Sequence, residues 1–413
     1  MRVLYIHQYF NTRTGSSGTR SYEFARALIG AGHIVTMLCA STAGCNTGLG
    51  AEFTGNRRSG IVDGIDVVEF RIDYSNHNPI YLRALKFLKF AWKCSLEVFS
   101  RDFDIVVATS TPLTVVIPGA IAQLFRRKPF VFEVRDLWPE LPKALGLANP
   151  AALIGMKVLE WIGYRTATRI IALAPGILRG VAKAGVNPEL IDMIPNGCDF
   201  DVFEAAPILP PCQRFPGHIA TGDFVALFAG AHGKANGLAA VLDAAEELRR
   251  LGRGDIKFLL IGEGTEKPAL VTRATITGLS NVIFAPPIPK TELASLMLGA
   301  DLALQILADV PAFYDGTSPN KFFDYLASGR PVLINYPGWL AKLIEDGRCG
   351  YVVPPRDPLA FAAALVRAAD DREGRLSAGA CATLMGRKLF DRARLAKEFV
   401  ECLVRAQRQH SNI

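Results

Sequence analysis

A polar loop followed by a helix that carries one acid is the stretch whose residue types most directly suggest chemistry. It reads YDGTSPNKFFDYLASGRPV, residues 314–332. Ser318 suits an N-cap, and Asn320, Lys321 and Asp324 fall on one face of the helix that follows. A phosphate at the helix start and a carboxylate one turn further along would match the phosphate and ribose hydroxyls of a nucleotide. The alternative is an acid paired with Lys321 on a solvated face.

Two glycine-containing loops are further candidates for binding an anion. NTRTGSSGTR, residues 11–20, follows the first predicted strand and includes Gly15 and Gly18, and FAGAHGKANG, residues 228–237, holds Lys234. Glycines let backbone N–H groups approach a ligand, and a lysine among them neutralises phosphate charge. Neither loop reads G-x-G-x-x-G or G-x-x-x-x-G-K-[ST], which argues against dinucleotide oxidoreductases and P-loop NTPases. The alternatives are a tight turn for the first loop and a solvated lysine for the second.

Charged residues also follow a predicted buried strand in FEVRDLWPE, residues 132–140. Arg135 and Asp136 stand where the strand ends. Polar residues at the carboxyl end of a parallel strand face the ligand crevice of an open sheet. Pairing of the two side chains within the loop is the structural alternative.

These residues need a scaffold of parallel strands, and the rest of the sequence predicts two. The first set of predicted strands reads VLYI, IVTMLCA, DVVEFRI, DIVVAT, PFVFEV and RIIALA. A proline-rich segment at 206–217 follows, and a second set reads FVALFAG, IKFLLIG, NVIFA, DLALQIL, PVLIN and YVVPP. Strands that alternate with helical stretches indicate parallel sheets covered on both sides. We therefore predict one α/β domain over 1–205, a second over 206–385, and a terminal helix over 386–413 that packs on the first.

Composition limits the class of protein. The chain has 413 residues, half of them apolar, and a formal net charge of +7 that favours anionic partners. Its eight cysteines form no C-x-x-C pair and its six histidines no H-E-x-x-H, so we expect reduced thiols and no zinc site. The start MRVLYIHQYF lacks the features of a signal peptide, and the longest apolar stretch, residues 113–125, is shorter than a membrane span. We expect a cytoplasmic protein.

A helix predicted over residues 81–99 concentrates basic side chains. Arg83, Lys86, Lys89 and Lys93 lie within roughly 120° of one helical face at 3.6 residues per turn, with leucine and aromatic residues on the others. A basic amphipathic helix suits an anionic membrane surface. The alternative is a surface helix whose lysines face water while its apolar side packs on the sheet.

Together these residues resemble glycosyltransferase family 4, the retaining nucleotide-sugar transferases. HQYF, Thr19-Arg20, RDLWPE, IPNGCD, AGAHGKANGL and SPNKFFDYLASGRPV look most like the bacterial subgroup that includes N-acetyl-L-fucosamine transferases of O-antigen assembly. The resemblance implies an α/β GT-B fold, in which two Rossmann-like, doubly wound domains face a central cleft. It also implies transfer of a sugar from a UDP-sugar to a polyprenyl-diphosphate-linked glycan, without a metal or other cofactor, at the inner face of the cytoplasmic membrane.

The same resemblance assigns roles to individual residues. The donor-binding residues would be Gly15, Gly18, Arg20, Gly230, His232, Lys234, Ser318, Asn320, Lys321 and Asp324. The catalytic residues would be Asp136, Arg135 and Lys234. Lys234 would stabilise the negative charge that develops on UDP, while Asp136 positions the acceptor hydroxyl or the donor phosphate itself takes its proton. Asn196 and Asp199, in IPNGCD, look structural.

The sequence departs from the family pattern at two places. The E-x7-E motif of the family would place its first acid at Gly316 and its second at Asp324, and Arg135 replaces the histidine of a His-Asp pair. Two other functions stay open: a GT-B-fold nucleotide-sugar epimerase, which needs no acceptor, and a basic nucleic-acid-binding module, for which the sequence offers no recognised motif.

Overall fold

The computed structural model describes residues 1–42, 44–74, 80–146 and 149–411. The chain forms two compact α/β units. Unit 1 comprises Met1–Asn196, Asp315–Ser318 and Ala393–Ile413, and unit 2 comprises Gly197–Tyr314 and Pro319–Arg392. The units therefore divide at 196/197, where the sequence suggested 205/206. Asp315–Ser318, from the polar loop that precedes the acid-bearing helix, belong to unit 1.

Unit 1 is built on an eight-stranded sheet. Its strands are β1 (Arg2–Ile6), β2 (Ile34–Thr42), β3 (Arg57–Val62), β4 (Ile65–Tyr74), β5 (Ile105–Thr109), β6 (Phe130–Val134), β7 (Arg169–Ala172) and β8 (Ile191–Met193). They lie in the order β3-β4-β2-β1-β5-β6-β7-β8, and every neighbouring pair is parallel except the hairpin of β3 and β4. β5 and β6 are buried along their whole length, as expected for strands covered on both sides.

The helices of unit 1 follow the predicted alternation. They are α1 (Arg20–Gly30), α2 (Ile80–Ser100), α3 (Val116–Phe125), α4 (Glu140–Ala144), α5 (Pro150–Thr166) and α6 (Pro175–Lys183). The strand order reverses between β1 and β5, so the loops after these two strands diverge at their carboxyl ends. Ligands bind at such a switch point in open α/β sheets.

Unit 2 is built on a six-stranded, fully parallel sheet in the order β11-β10-β9-β12-β13-β14. The strands are β9 (Phe224–Ala229), β10 (Ile256–Ile261), β11 (Val282–Ala285), β12 (Leu302–Gln305), β13 (Val332–Ile334) and β14 (Gly350–Val352). The helices are α7 (Phe200–Ala205), α8 (Pro211–Arg214), α9 (Ala239–Arg250), α10 (Lys267–Ile276), α11 (Lys290–Gly299), α12 (Pro311–Tyr314), α13 (Asn320–Ala327), α14 (Trp339–Gly347), α15 (Pro358–Asp370) and α16 (Arg372–Phe390). The switch point lies between β9 and β12.

The C-terminal segment returns to unit 1. α17 (Arg392–Ser411) packs the ring of Phe399 against Tyr5 and Phe24, with ring centroids 5.8 Å and 4.6 Å apart. Leu395 and Leu403 of the same helix are buried. These contacts complete the core on one side of the eight-stranded sheet.

The orientation of α2 bears on the two interpretations raised by the sequence. Its fully buried residues include Phe90 and Cys94, whereas its outward residues are mainly apolar, with Trp92 exposed at 66%. Lys89 is exposed, but Lys93 is half-buried with its ammonium 5.3 Å from the centroid of the Phe70 ring. The interpretation as a surface helix is therefore borne out in part: an apolar side packs inward and Lys89 faces water, but apolar side chains occupy the outer side as well. Among the described residues, no helix has the length and hydropathy needed to span a bilayer.

Candidate functional site

A cavity of about 360 Å³ lies at the carboxyl ends of the central strands of unit 1. Its lining comes from the loops after β1, β5 and β6 and from the first turns of α2. The residues are His7, Tyr9, Ser17, Gly18, Arg83, Thr111, Arg135, Asp136 and Trp138. The structure thus brings together three of the predicted site residues, Gly18, Arg135 and Asp136, and adds Arg83, which the sequence assigned to a membrane contact.

A buried histidine orients Arg135 at this cavity. Arg135 Nη1 lies 3.3 Å from His7 Nε2, and His7 Nδ1 lies 2.7 Å from Ser21 Oγ. Because arginine can only donate, Nε2 accepts and Nδ1 carries the proton, which it donates to Ser21. Burial, together with the positive charges of Arg135 and Arg20, lowers the pKa of His7 well below its ordinary value. His7 is therefore neutral, and sequence reasoning missed it although it directly follows β1.

Asp136 is the acid of the cavity. Burial raises its pKa, while Arg135 and a hydrogen bond from Thr111 Oγ1 at 3.4 Å act in the opposite direction. A carboxylate with a raised pKa in a concave site is suited to accepting a hydrogen bond from a hydroxyl and, with it, a proton.

An asparagine fastens the first glycine loop. Asn11 Nδ2 donates to the carbonyl of Ser17 at 2.7 Å, and Asn11 Oδ1 accepts from the N–H of Asn46 at 2.8 Å. A Cβ at Gly15 would lie 1.8 Å from Asn11 Oδ1. Gly15 is thus required for close packing of the loop, while Gly18 lines the cavity. Ligand contact at Gly15 stays a prediction.

Arg20 holds the framework behind this loop. It is fully buried, and its guanidinium donates to Glu133 at 2.9 Å and to the carbonyls of Pro195 and Ile194 at 2.5 Å and 2.8 Å. These contacts support a positioning role. The donor contact that the resemblance implies for Arg20 stays a prediction.

Lys321 lies at the second glycine loop, in unit 2. Its ammonium donates to Asn236 Oδ1 at 2.6 Å and lies 4.1 Å from the centroid of the Phe228 ring. A Cβ at Gly230 would be 3.2 Å from the same nitrogen. Burial lowers the pKa of Lys321 to about 7. Lys234, in contrast, is exposed, so the structure places Lys321 against the loop that the sequence assigned to Lys234.

His232 lies beneath the same loop. Its ring is fully buried and packs against Phe228 and Phe284, with ring centroids 6.0 Å and 6.2 Å away. Burial lowers the pKa of His232 to about 4, so the ring is neutral. These contacts support a packing role, and its contact with a donor stays a prediction.

The acid on α13 pairs with a lysine that sequence reasoning missed. Lys290 Nζ lies 2.9 Å from Asp324 Oδ1 and 2.5 Å from Asp199 Oδ2, and Arg392 Nε lies 2.8 Å from Asp199 Oδ1. The alternative in which Asp324 pairs with Lys321 is therefore wrong. Burial raises the pKa of Asp324 and Lys290 lowers it, so the shared lysine keeps this acid closer to ionisation. Asp199 is the structural residue that the sequence indicated.

The start of α13 differs from its predicted capping. Ser318 is not the N-cap: its Oγ accepts from the N–H of Asn196 at 3.2 Å, and Pro319 immediately precedes the helix. The side chain of Asn196 also donates to the Ser318 carbonyl at 2.5 Å. Asn320 Oδ1 is buried and has no hydrogen-bond partner in the described structure. An unused acceptor therefore lies beside Lys321 in the first turn.

Comparison with known proteins follows the same two-part division. Residues 17–202 match the family described as Glycosyltransferase Family 4, and residues 223–371 match Glycosyl transferases group 1. The chain carries both glycosyltransferase domains. The transferase class predicted from the sequence is confirmed.

Curated relatives of the glycosyltransferase extend this finding. A probable glycosyltransferase, WbjE of Pseudomonas aeruginosa, is 22% identical over 72% of this chain and 74% of that protein. A D-inositol 3-phosphate glycosyltransferase of Arthrobacter sp. (strain FB24) is 29% identical over 53% of this chain, which spans about half (51%) of that enzyme.

Solved structures match nearly the whole glycosyltransferase. Anabaena HepE in complex with UDP and glucose has a TM-score of 0.72 at 18% identity, covering 98% of this chain and 99% of that one. Sucrose-phosphate synthase from Thermosynechococcus elongatus has a TM-score of 0.74 at 17% identity, covering 98% of both chains. The predicted GT-B fold is confirmed by these neighbours and by the two parallel-sheet units.

The shared lysine of unit 2 leads to a pH-dependent prediction. In Lys290→Met, Asp199 and Asp324 lose their common cation, so the pKa of Asp324 rises further above its unfolded value. A raised carboxyl pKa contributes stability below the unfolded pKa that is lost as pH increases through the folded pKa. The destabilisation by Lys290→Met should therefore be larger near pH 7 than near pH 4, as measured by denaturant unfolding.

Lys342→Met provides the control, because Lys342 pairs with Asp346 on the surface, where both side chains are more than half exposed. It should change stability by less than about 1 kcal/mol at either pH. An equal destabilisation by Lys290→Met at both pH values would contradict the role assigned to Lys290.

Proposed function

We propose that this glycosyltransferase moves a sugar from a UDP-sugar to a polyprenyl-diphosphate-linked glycan with retention of configuration. An N-acetylated sugar, with N-acetyl-L-fucosamine as the first candidate, and a role in bacterial surface polysaccharide synthesis follow from the motif resemblance. The inner face of the cytoplasmic membrane is the location that such an acceptor requires.

The observation that carries the proposal is the position of Lys321. Its ammonium lies against the glycine loop after β9, three residues before Asp324 on the same helix. A diphosphate at this loop would meet the ammonium and the first amides of α13, and the ribose would lie one turn further along. A solved relative, HepE, binds UDP and glucose, which supports a uridine diphosphate sugar as the donor.

Charge development at the leaving group gives Lys321 its proposed catalytic role. Cleavage of the bond between the sugar and the phosphate leaves negative charge on UDP, and a cation fixed before the reaction stabilises that charge. Lys321 is held by Asn236 and Phe228, whereas Lys234 is exposed. We therefore assign to Lys321 the main role that the sequence assigned to Lys234.

The cavity of unit 1 would bind the acceptor. Asp136 would accept a hydrogen bond from the attacking hydroxyl, and Arg135, oriented by His7, would bind an anionic or hydroxylated group of the acceptor. In the alternative that the sequence left open, the donor phosphate takes the proton. The metal-free reaction stays part of the proposal.

A screen of nucleotide sugars tests the donor. A ligand that binds the folded state raises its melting temperature, so UDP-sugars should stabilise the protein more than the GDP, ADP or TDP sugars do. The stabilising donor is then incubated with and without a polyprenyl-diphosphate-linked glycan, and products are identified by mass spectrometry. Preference for another base would contradict the UDP assignment, and conversion of the donor without an acceptor would favour the epimerase.

Exchange of the two lysines tests the leaving-group assignment. Lys321→Met should lower kcat by about 100-fold, because it removes a charge that acts in the transition state. Lys234→Met is the matched control from the same loop region and should change kcat by only a few-fold. A larger loss of kcat in Lys234→Met than in Lys321→Met would return the role to Lys234. An effect of Lys321→Met confined to KM would show that Lys321 contributes only to donor binding.

A further inference from the structure

Unit 1 exposes an unusual number of large apolar side chains on three adjacent helices. We name this surface the apolar face, and its residues are Tyr81, Leu85, Leu88, Trp92, Leu96, Phe99, Leu124, Phe125, Ile154, Val158 and Trp161. Their exposed fractions lie between 48% and 72%. Monomeric proteins rarely expose contiguous apolar patches of this kind unless a partner covers them.

The residues from α2 form one stripe. At 3.6 residues per turn, the six side chains from Tyr81 to Phe99 fall within about 80° of the helix circumference. Ile154, Val158 and Trp161 fall on one side of α5 in the same way, at spacings of four and three residues. The exposure therefore follows helix geometry and is not scattered along the chain.

Direct contacts hold the three helices side by side. At one end of α3, Thr114 Oγ1 donates to the carbonyl of Phe87, and at the other end Arg126 donates to the carbonyls of Val98 and Phe99 at 2.7 Å and 2.8 Å. On the other side of α3, a Cβ at Gly163 of α5 would lie 2.8 Å from a methyl group of Val116. α2, α3 and α5 thus lie side by side in one layer that carries these exposed apolar residues.

Exposed cations border this layer. Lys89, Arg127, Lys157 and Arg165 are exposed. The two acids of α2 and α5 are engaged inside the protein: Glu97 pairs with Arg101 at 2.5 Å, and Glu160 is buried beside Lys157. The face is therefore apolar and aromatic at its centre and mainly basic at its border, where one exposed acid, Glu140, lies 4.0 Å from Lys157.

We propose that the apolar face docks on one leaflet of an anionic lipid bilayer, with its aromatic side chains inserted and its bordering cations at the headgroups. Aromatic and aliphatic residues beside Lys and Arg are the composition that interfacial membrane binding favours. A symmetric dimer through this face would instead set the bordering cations of one copy near those of the other.

The proposal replaces the basic face predicted from the sequence by an apolar one. It also explains the position of Arg83, which lies on α2 and lines the cavity that we assign to the acceptor. One helix thus joins the docking surface to that cavity, so a lipid-linked acceptor in the same leaflet would approach Arg83 along α2. This inference rests on the proposed function for its acceptor, but its test needs neither donor nor acceptor.

Vesicle flotation with the full chain tests the docking surface. The vesicles are phosphatidylethanolamine containing phosphatidylglycerol, and the variants are Trp92→Ser/Phe99→Ser and, as a matched control from unit 2, Ile276→Ser/Leu359→Ser. The control residues are at least as exposed as the test residues: the exposed fractions are 79% and 66% for the control pair and 66% and 54% for the test pair. The test variant should lose at least about tenfold in vesicle affinity, because two large side chains no longer insert. The control should bind like the unaltered chain.

A second measurement follows tryptophan emission, first in the unaltered protein, so it does not depend on how the serine variants fold. Brominated acyl chains should quench the emission of Trp92 and Trp161, and Trp92→Phe together with Trp161→Phe should remove most of that quenching.

Failure of the protein to float with the vesicles, equal losses of vesicle affinity in both double variants, or absence of quenching would overturn the proposal. Sedimentation showing a dimer that only the Trp92→Ser/Phe99→Ser variant dissociates would assign the face to a second copy. Sugar transfer to the lipid-linked acceptor by a variant that no longer binds vesicles would overturn the docking role of the apolar face but not the proposed function.

Discussion

The contact between the Lys321 ammonium and the glycine loop at the end of a parallel strand is the interaction on which the proposed donor site depends. Lys321 lies against the loop after β9, and burial brings its pKa to about 7. Its hydrogen-bond acceptor, Asn236, is a neutral amide, and Phe228 contributes only the quadrupole of its ring. These contacts within unit 2 therefore offset only part of the free-energy cost of keeping the ammonium charged. An anion bound at the loop would offset the remainder.

The second buried lysine of unit 2 shows the opposite balance. Lys290 contacts two carboxylates, and its pKa is raised despite burial because Asp199 and Asp324 outweigh the cost of desolvation. Arg392 balances the second negative charge. This cluster is electrically complete without a ligand, which explains why it can fix the orientation of Asp324. Helix α13 thus carries both Asp324, whose charge is balanced within the protein, and Lys321, whose charge is balanced only in part.

Local sequence patterns predicted most of the scaffold. Short β-branched runs predicted all six strands of unit 2 and six of the eight strands of unit 1, but not β3 or β8. Glycines after predicted strands indicated both loops at the switch points. Lys321, Asn320 and Asp324 were predicted to share a helical face because the spacing within one helix is fixed. The partners of these residues could not be predicted in the same way. Lys290 is separated from Asp199 by 91 residues, and Arg20 from Glu133 by 113. Such pairs depend on how strands are ordered in the sheet, which periodicity does not encode. The side of α2 that packs on the sheet could not be predicted, because apolar residues occur on both sides of the helix.

The most direct test of the central claim is calorimetry of donor binding in two buffers that differ in ionisation enthalpy. If Lys321 is largely neutral in the free protein at about pH 8 and pairs with the diphosphate, binding of a UDP-sugar should take up close to one proton, since the diphosphate raises the pKa of the ammonium. The uptake should shrink near pH 6, where Lys321 is already protonated, and should vanish in Lys321→Met. Binding that takes up no proton at either pH would contradict the claim.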